Sequence, residues 1–151
     1  MKKIIIIGLS GLLLWSCDND AKTEKAETQT EAHSAHNDDQ NSAVPELNNG
    51  EKWVVNDEMK PFVLNGSELV NAYIQEGRTD FKSLAAQLKD QNDQLIKSCT
   101  MKGKSHDELH KWLNPHLQMV KQLDEQSDAA KTNEIVLQLQ NSYQQYHQYF
   151  N

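Results

Sequence analysis

The residues best suited to bind a metal ion lie in one short stretch and one later segment of the chain. The thiol of Cys99 and the thioether of Met101 precede two imidazoles, His106 and His110, and a third imidazole, His147, lies near the C terminus. Residues four apart share one face of a helix, so the rings of His106 and His110 can converge on one ion. Sulfur together with imidazole suits Cu(I) best and Zn(II) second. The sequence therefore predicts a site for a soft transition metal.

Each of these residues also has an ordinary structural interpretation. Cys99 continues an apolar stripe, and a free cysteine often behaves as a small buried hydrophobic residue. His147 could be a half-buried histidine bonded to a tyrosine or carboxylate, and His106 could be solvated. Met101 could fill the turn between two helices. These structural roles and the metal site both stay open on the sequence alone.

Four amphipathic helices are expected to position these residues. Apolar residues recur at helical spacing over about 56–76, 80–100, 105–123 and 132–150. No segment shows the period-two alternation of a strand, so we predict an all-α fold, an antiparallel up-down-up-down four-helix bundle. In that topology the second helix ends, the third begins and the fourth ends at one pole, where all five candidate ligands would meet.

Local signals indicate where these helices begin and end. The expected signals are Gly77 at the end of the first helix, Thr79 or Asp80 as the cap of the second, a capping box of Ser105 with Glu108 at the start of the third, and a kink at Pro115.

The N terminus is typical of an exported, lipid-anchored protein. Residues 1–16 have a charged end and then a short apolar run, as in a secretory signal peptide. Leu14, Ser16 and Cys17 resemble the lipobox of bacterial lipoproteins, in which Cys17 would be lipidated with acyl chains such as palmitate and would anchor the chain in a membrane. A plain signal peptide with an incidental cysteine is the alternative. The acidic residues after Cys17 lead us to expect the outer membrane, with the periplasmic or surface side open.

Residues 17–47 are expected to form a disordered acidic tether, and residues 48–151 the helical domain. Between residues 18 and 47 there are two lysines, eight acidic residues and no aromatic residue, a composition that cannot form a core. The tether contains an H-x-x-H pair, His33 and His36, which could bind a metal weakly but is more typical of solvated linker histidines.

Several classes of function are excluded by the sequence. A net charge of −7 with a single arginine, Arg78, argues against nucleic-acid binding. The H-x-x-x-H spacing of His106 and His110 lacks the glutamate that zinc proteases carry after the first histidine, because Asp107 stands there. No C-x-x-C-H motif for covalent haem and no nucleophile elbow is present. We therefore do not expect an enzyme.

The stretch from Cys99 to Leu113, the ending Tyr146 to Phe150 and the opening Asn49 to Trp53 resemble small, uncharacterised bacterial lipoproteins with a helical C-terminal domain. The resemblance covers about 48–151 and implies heavy-metal handling without transferring an established activity. One hypothesis is thus a metal scavenger, sensor or chaperone serving a metal-transport system. The alternative is a metal-free helical module that docks another envelope protein.

Overall fold

A computed structural model of the chain describes residues 44–151. After a short 3-10 helix, Asp57–Met59, this part contains four α-helices: α1, Lys60–Gln75; α2, Phe81–Ser98; α3, Lys104–Glu125; and α4, Ala129–Tyr149. The predicted signal peptide, Cys17, and tether residues 17–43 lie outside the described residues. Within residues 44–151, none of the helices combines the length and apolar character needed to cross a membrane.

The four helices form an all-α bundle in which each helix runs antiparallel to the next. Polar contacts between neighbours show this direction. Asn56 near the start of α1 donates to the Ser98 carbonyl at 2.8 Å, while Asn65 further along donates to Gln91 at 3.4 Å. The Lys82 ammonium near the start of α2 donates to the Asp124 carbonyl near the end of α3. Between α3 and α4, Trp112 lies against Tyr146, while His116, further along α3, lies against the earlier Tyr143. The predicted up-down-up-down bundle is therefore confirmed.

Two of the predicted helix ends are confirmed. Gly77 follows α1 with φ +62°, and the Arg78 amide donates to the Tyr73 carbonyl at 3.0 Å, which is the hydrogen bond of a Schellman motif. The Asp80 side chain caps α2 by accepting from the Ser83 amide at 3.1 Å. These ends depend on local residues, which is why the sequence reveals them.

The predicted capping box at the start of α3 is wrong. The N-cap is Gly103, at φ +64°, and no side chain caps this helix end. Ser105 donates instead to the Lys102 carbonyl at 3.2 Å, and the Glu108 carboxylate is engaged elsewhere. α3 then continues through Pro115 to Glu125 as one helix.

Residues 44–56, here called the N-terminal strap, lie against the end of the bundle where α3 begins and α4 ends. The Trp53 amide donates to the Tyr149 carbonyl at 2.8 Å, and the Asn151 amide donates back to the Trp53 carbonyl at 3.1 Å. The Glu46 amide donates to the buried Glu108 carboxylate at 2.8 Å. Glu46 belongs to the stretch 17–47 predicted as the tether, yet it contacts the helical domain.

Candidate metal-binding site

One end of the bundle collects the segments that carry the candidate ligands, as the topology predicts. The side chain of Asn56, just before α1, bonds both the Ser98 carbonyl at 2.8 Å and the Thr100 amide at 3.2 Å, which holds the end of α2 there. The Lys104 ammonium lies 6.0 Å from the centre of the Trp53 ring, and Trp53 pairs with Tyr149 at the end of α4. We call this end the histidine pole.

His106 and His110 are brought together at the histidine pole. They lie one turn apart on α3, and their Nε2 atoms are 3.1 Å apart. The rings meet edge to face, with centroids 4.5 Å apart. His106 is half-buried and His110 exposed, so the pair faces solvent. Two imidazole nitrogens at this separation can form a hydrogen bond with each other, or they can bind one cation together.

The two sulfur residues have a different environment. Cys99 caps the end of α2, where its amide donates to the Ile96 carbonyl at 3.2 Å, and it is a free thiol. Cys99 and Met101 are both half-buried and pack against the hydrophobic core. Both positions agree with the structural interpretation that the sequence left open.

His147 lies on the last turns of α4, exposed, with its ring edge-on to Tyr146 at a centroid distance of 5.4 Å. Within residues 44–151, no three His, Cys, Asp or Glu side chains are grouped closely enough to hold a metal ion. Of the five predicted ligands, the structure brings His106 and His110 together, packs Cys99 and Met101 against the core, and sets the ring of His147 against Tyr146.

Glu108 and Lys111 of α3 form an ion pair next to the histidines in the sequence. Burial alone raises the pKa of Glu108, but the hydrogen bond from the Glu46 amide and the pairing with Lys111 at 2.9 Å outweigh it, so the pKa lies below its ordinary value. The same pairing raises the pKa of Lys111. The Glu108 carboxylate therefore binds both the strap and Lys111, and the Lys111 ammonium neutralises its charge.

Comparison of the chain with protein-family models, with curated proteins and with solved structures finds no match in any of the three.

A fourth histidine, His116, was not among the predicted site residues, yet it is fully buried. Its Nδ1 atom lies 3.0 Å from the Ser142 hydroxyl, and its ring stacks on Trp112 with centroids 4.9 Å apart. Burial lowers its pKa to about 4, so it is uncharged at neutral pH. The available signal was its place in the apolar stripe of α3, between Leu113 and Val120.

Proposed function

We propose that this protein is a bacterial cell-envelope lipoprotein whose helical domain binds a soft transition metal as a scavenger, sensor or chaperone. The observation that carries the proposal is the His106–His110 pair, whose Nε2 atoms lie 3.1 Å apart on an open face of the bundle. Imidazole is a common ligand of such metals, and an exposed pair can take up and release an ion without unfolding.

The spacing of the pair bears on which ion it binds. With zinc–nitrogen bonds of about 2.0–2.1 Å and tetrahedral angles, two ligating nitrogens are roughly 3.3 Å apart. The observed 3.1 Å is close to this value. The preference for Cu(I) depends on sulfur ligands, but Cys99 and Met101 both pack against the core. We therefore place Zn(II) beside Cu(I) as the proposed ion.

A two-histidine site leaves coordination positions for other ligands. Water, Met101 after a local rearrangement, or a side chain of a partner protein can fill them, because a protein zinc site normally has four ligands. This requirement supports a role in transfer to or from a metal-transport system, in which the partner supplies the remaining ligands. The pair itself would hold the ion only moderately.

The metal proposal is tested by competition titration of the reduced, tag-free mature protein with Zn(II) and with Cu(I). We expect the His106→Ala/His110→Ala variant to bind at least about tenfold more weakly than the natural protein, a difference of about 1.4 kcal/mol. The matched control is His33→Ala/His36→Ala, which removes the H-x-x-H pair of the tether and should leave the affinity unchanged. Equal affinities of the natural protein and the α3 variant would refute the site.

The anchor is proposed from residues 1–17, and it has its own test. Cells expressing the full chain are labelled with radioactive palmitate, and their membranes are separated by density. We expect label on the protein and recovery with the outer membrane, whereas Cys17→Ser should lose both the label and the membrane association. Cys99→Ser, the matched control, should keep both. Label that survives Cys17→Ser would contradict the lipobox.

The second candidate is a metal-free module that docks another envelope protein. It is favoured by the packing of Cys99 and Met101 against the core. A groove between α1 and α2, floored by Leu69, Ala72 and Ala86 and rimmed by polar side chains, offers a surface for such contact. This candidate predicts that the metal titration gives the same affinity for the natural protein and the His106→Ala/His110→Ala variant.

A further inference from the structure

The bundle core contains one level at which every helix contributes a glycine or a residue with a polar atom. At this level the apolar stripes of the helices are interrupted. The residues are Gly66 in α1, Asn92 in α2, His116 in α3 and Tyr143 in α4. We call them the central polar layer, and all four are buried.

Contacts between neighbouring helices place these residues at one level. The Tyr143 hydroxyl rests on Gly66 so closely that a Cβ atom at position 66 would overlap it. The ring of His116 meets the ring of Tyr143 edge-on, with centroids 4.7 Å apart. Gln91 accepts from Asn65, the residue before Gly66, at 3.4 Å, so α2 reaches the height of Gly66 at about residues 91 and 92.

Each of the three polar side chains of the layer has one atom without a hydrogen-bond partner among the described residues. These atoms are Asn92 Nδ2, His116 Nε2 and Tyr143 Oη. The three residues are only 4%, 0% and 2% exposed, so bulk solvent does not reach them. An unsatisfied buried polar group costs about 1–3 kcal/mol, and folded proteins normally satisfy such groups with protein atoms or ordered water.

The chemistry of these atoms restricts what can satisfy them. Asn92 Nδ2 only donates, whereas the Tyr143 hydroxyl donates or accepts. His116 Nε2 accepts or donates, depending on whether Nδ1 donates to or accepts from the Ser142 hydroxyl. Burial lowers the pKa of His116 to about 4 and raises that of Tyr143 above its ordinary value, so both are neutral at pH 7. The matching ligand is small, neutral, and both a donor and an acceptor.

We propose that the central polar layer is a buried hydration site, in which ordered water bridges Asn92, His116 and Tyr143. Internal waters typically make about three hydrogen bonds to buried groups of this kind. Ser142, which contacts His116, also lines an open groove between α3 and α4 beside Pro115 and Met119. Water exchanges with the layer along this side. The Tyr146 hydroxyl, one turn further along α4 and also without a partner, extends the site towards the histidine pole.

A high-resolution crystal structure of the mature protein tests the site directly. We expect ordered water within hydrogen-bonding distance of at least two of Asn92 Nδ2, His116 Nε2 and Tyr143 Oη. A layer in which these atoms have no water neighbour, or bond only to one another, overturns the proposal.

A variant series gives a second, independent measurement in solution. Tyr143→Phe removes the hydroxyl and keeps the ring, so loss of a water-bridged group should lower the urea midpoint of unfolding. An unchanged or raised midpoint would mean that the hydroxyl had no partner to lose, and would overturn the proposal. Tyr73→Phe is the matched control, since the Tyr73 hydroxyl is not among the unpartnered buried atoms.

Discussion

The buried, uncharged His116 makes the folding free energy depend on pH. Its folded-state pKa is about 4 because burial disfavours the imidazolium ion, whereas the ordinary value is 6.5. Between these two values the unfolded chain binds more protons than the folded chain, so acid favours unfolding. The stabilisation is fully present above about pH 6.5 and is lost as the pH falls towards 4.

We predict that this one residue contributes up to about 3 kcal/mol to the difference in stability between pH 7 and pH 4. The measurement is the free energy of unfolding in urea across that range, for the natural protein and for His116→Gln. The variant should show a shallower pH dependence. His147→Gln, at an exposed histidine, is the control and should follow the natural protein. Parallel curves for the natural protein and His116→Gln would contradict the argument.

Gly66 is the second residue whose role follows from its contacts. In most helices, replacing glycine by alanine stabilises by about 1 kcal/mol. Here the new methyl group would overlap the Tyr143 hydroxyl, which is buried and cannot swing away. We predict that Gly66→Ala instead destabilises by about 1–3 kcal/mol. Urea unfolding checks the sign.

The matched controls for Gly66→Ala test the reason as well as the sign. In a Tyr143→Phe background, which lacks the overlapping oxygen, Gly66→Ala should cost less stability than it does in the natural protein. Asn65→Ala, at the exposed neighbouring position, should change little. A stabilising Gly66→Ala would contradict the close approach of α1 and α4 at this position.

At the scale of the elements, the strap depends on a carboxylate of α3. Glu108 accepts from the Glu46 amide and pairs with Lys111, both at hydrogen-bonding distance. Its lowered pKa means that this contribution is present above its ordinary value of 4.5 and is lost as the pH falls through the folded-state value.

We predict that Glu108→Gln destabilises the domain by about 1–2 kcal/mol at pH 7, because it weakens charge-assisted hydrogen bonds of a buried group. Amide hydrogen exchange should show faster exchange at Glu46, while the middles of the helices keep their protection. Asp107→Asn, the exposed neighbour, serves as the control. If amide exchange at Glu46 were unchanged in the Glu108→Gln variant, the strap would not depend on this carboxylate.

The helices and two of their ends could be predicted from the sequence because their signals are local. Gly77 and Asp80 act on residues within one turn, and the apolar spacing needs no knowledge of the partner helix. Glu108 could not be assigned correctly, since its partner Glu46 is 62 residues away. The i, i+3 pattern with Ser105 favoured a cap, but a glycine in a left-handed conformation begins the helix two residues earlier.

In the candidate site, too, local contacts could be predicted from the sequence and contacts between helices could not. Helical spacing predicts that His106 and His110 meet, and they do. Whether Cys99 and His147 turn towards them depends on helix rotation within the bundle, which the sequence pattern does not specify. His116 is not one of the predicted ligands; its neighbours Ser142 and Tyr143 belong to α4, and the spacing along α3 does not show them.

At the scale of the whole molecule, both ends of the domain meet at the histidine pole. The strap pairs with residues 149–151 there, and the described part of the chain begins beside it at residue 44. On the proposed function, the chain that leads to the lipidated Cys17 leaves the described domain at residue 44, at the end that carries the proposed ligands His106 and His110. Such an arrangement suits exchange of an ion with a membrane-bound transport system.

The most direct test of the metal proposal is anomalous X-ray diffraction from crystals of the mature protein loaded with Zn(II). We predict one anomalous peak about 2.0–2.1 Å from the Nε2 atoms of both His106 and His110. Crystals of His106→Ala/His110→Ala should lack this peak. An ion bound only elsewhere, or no peak at the pair in metal-loaded crystals of the natural protein, would contradict the account.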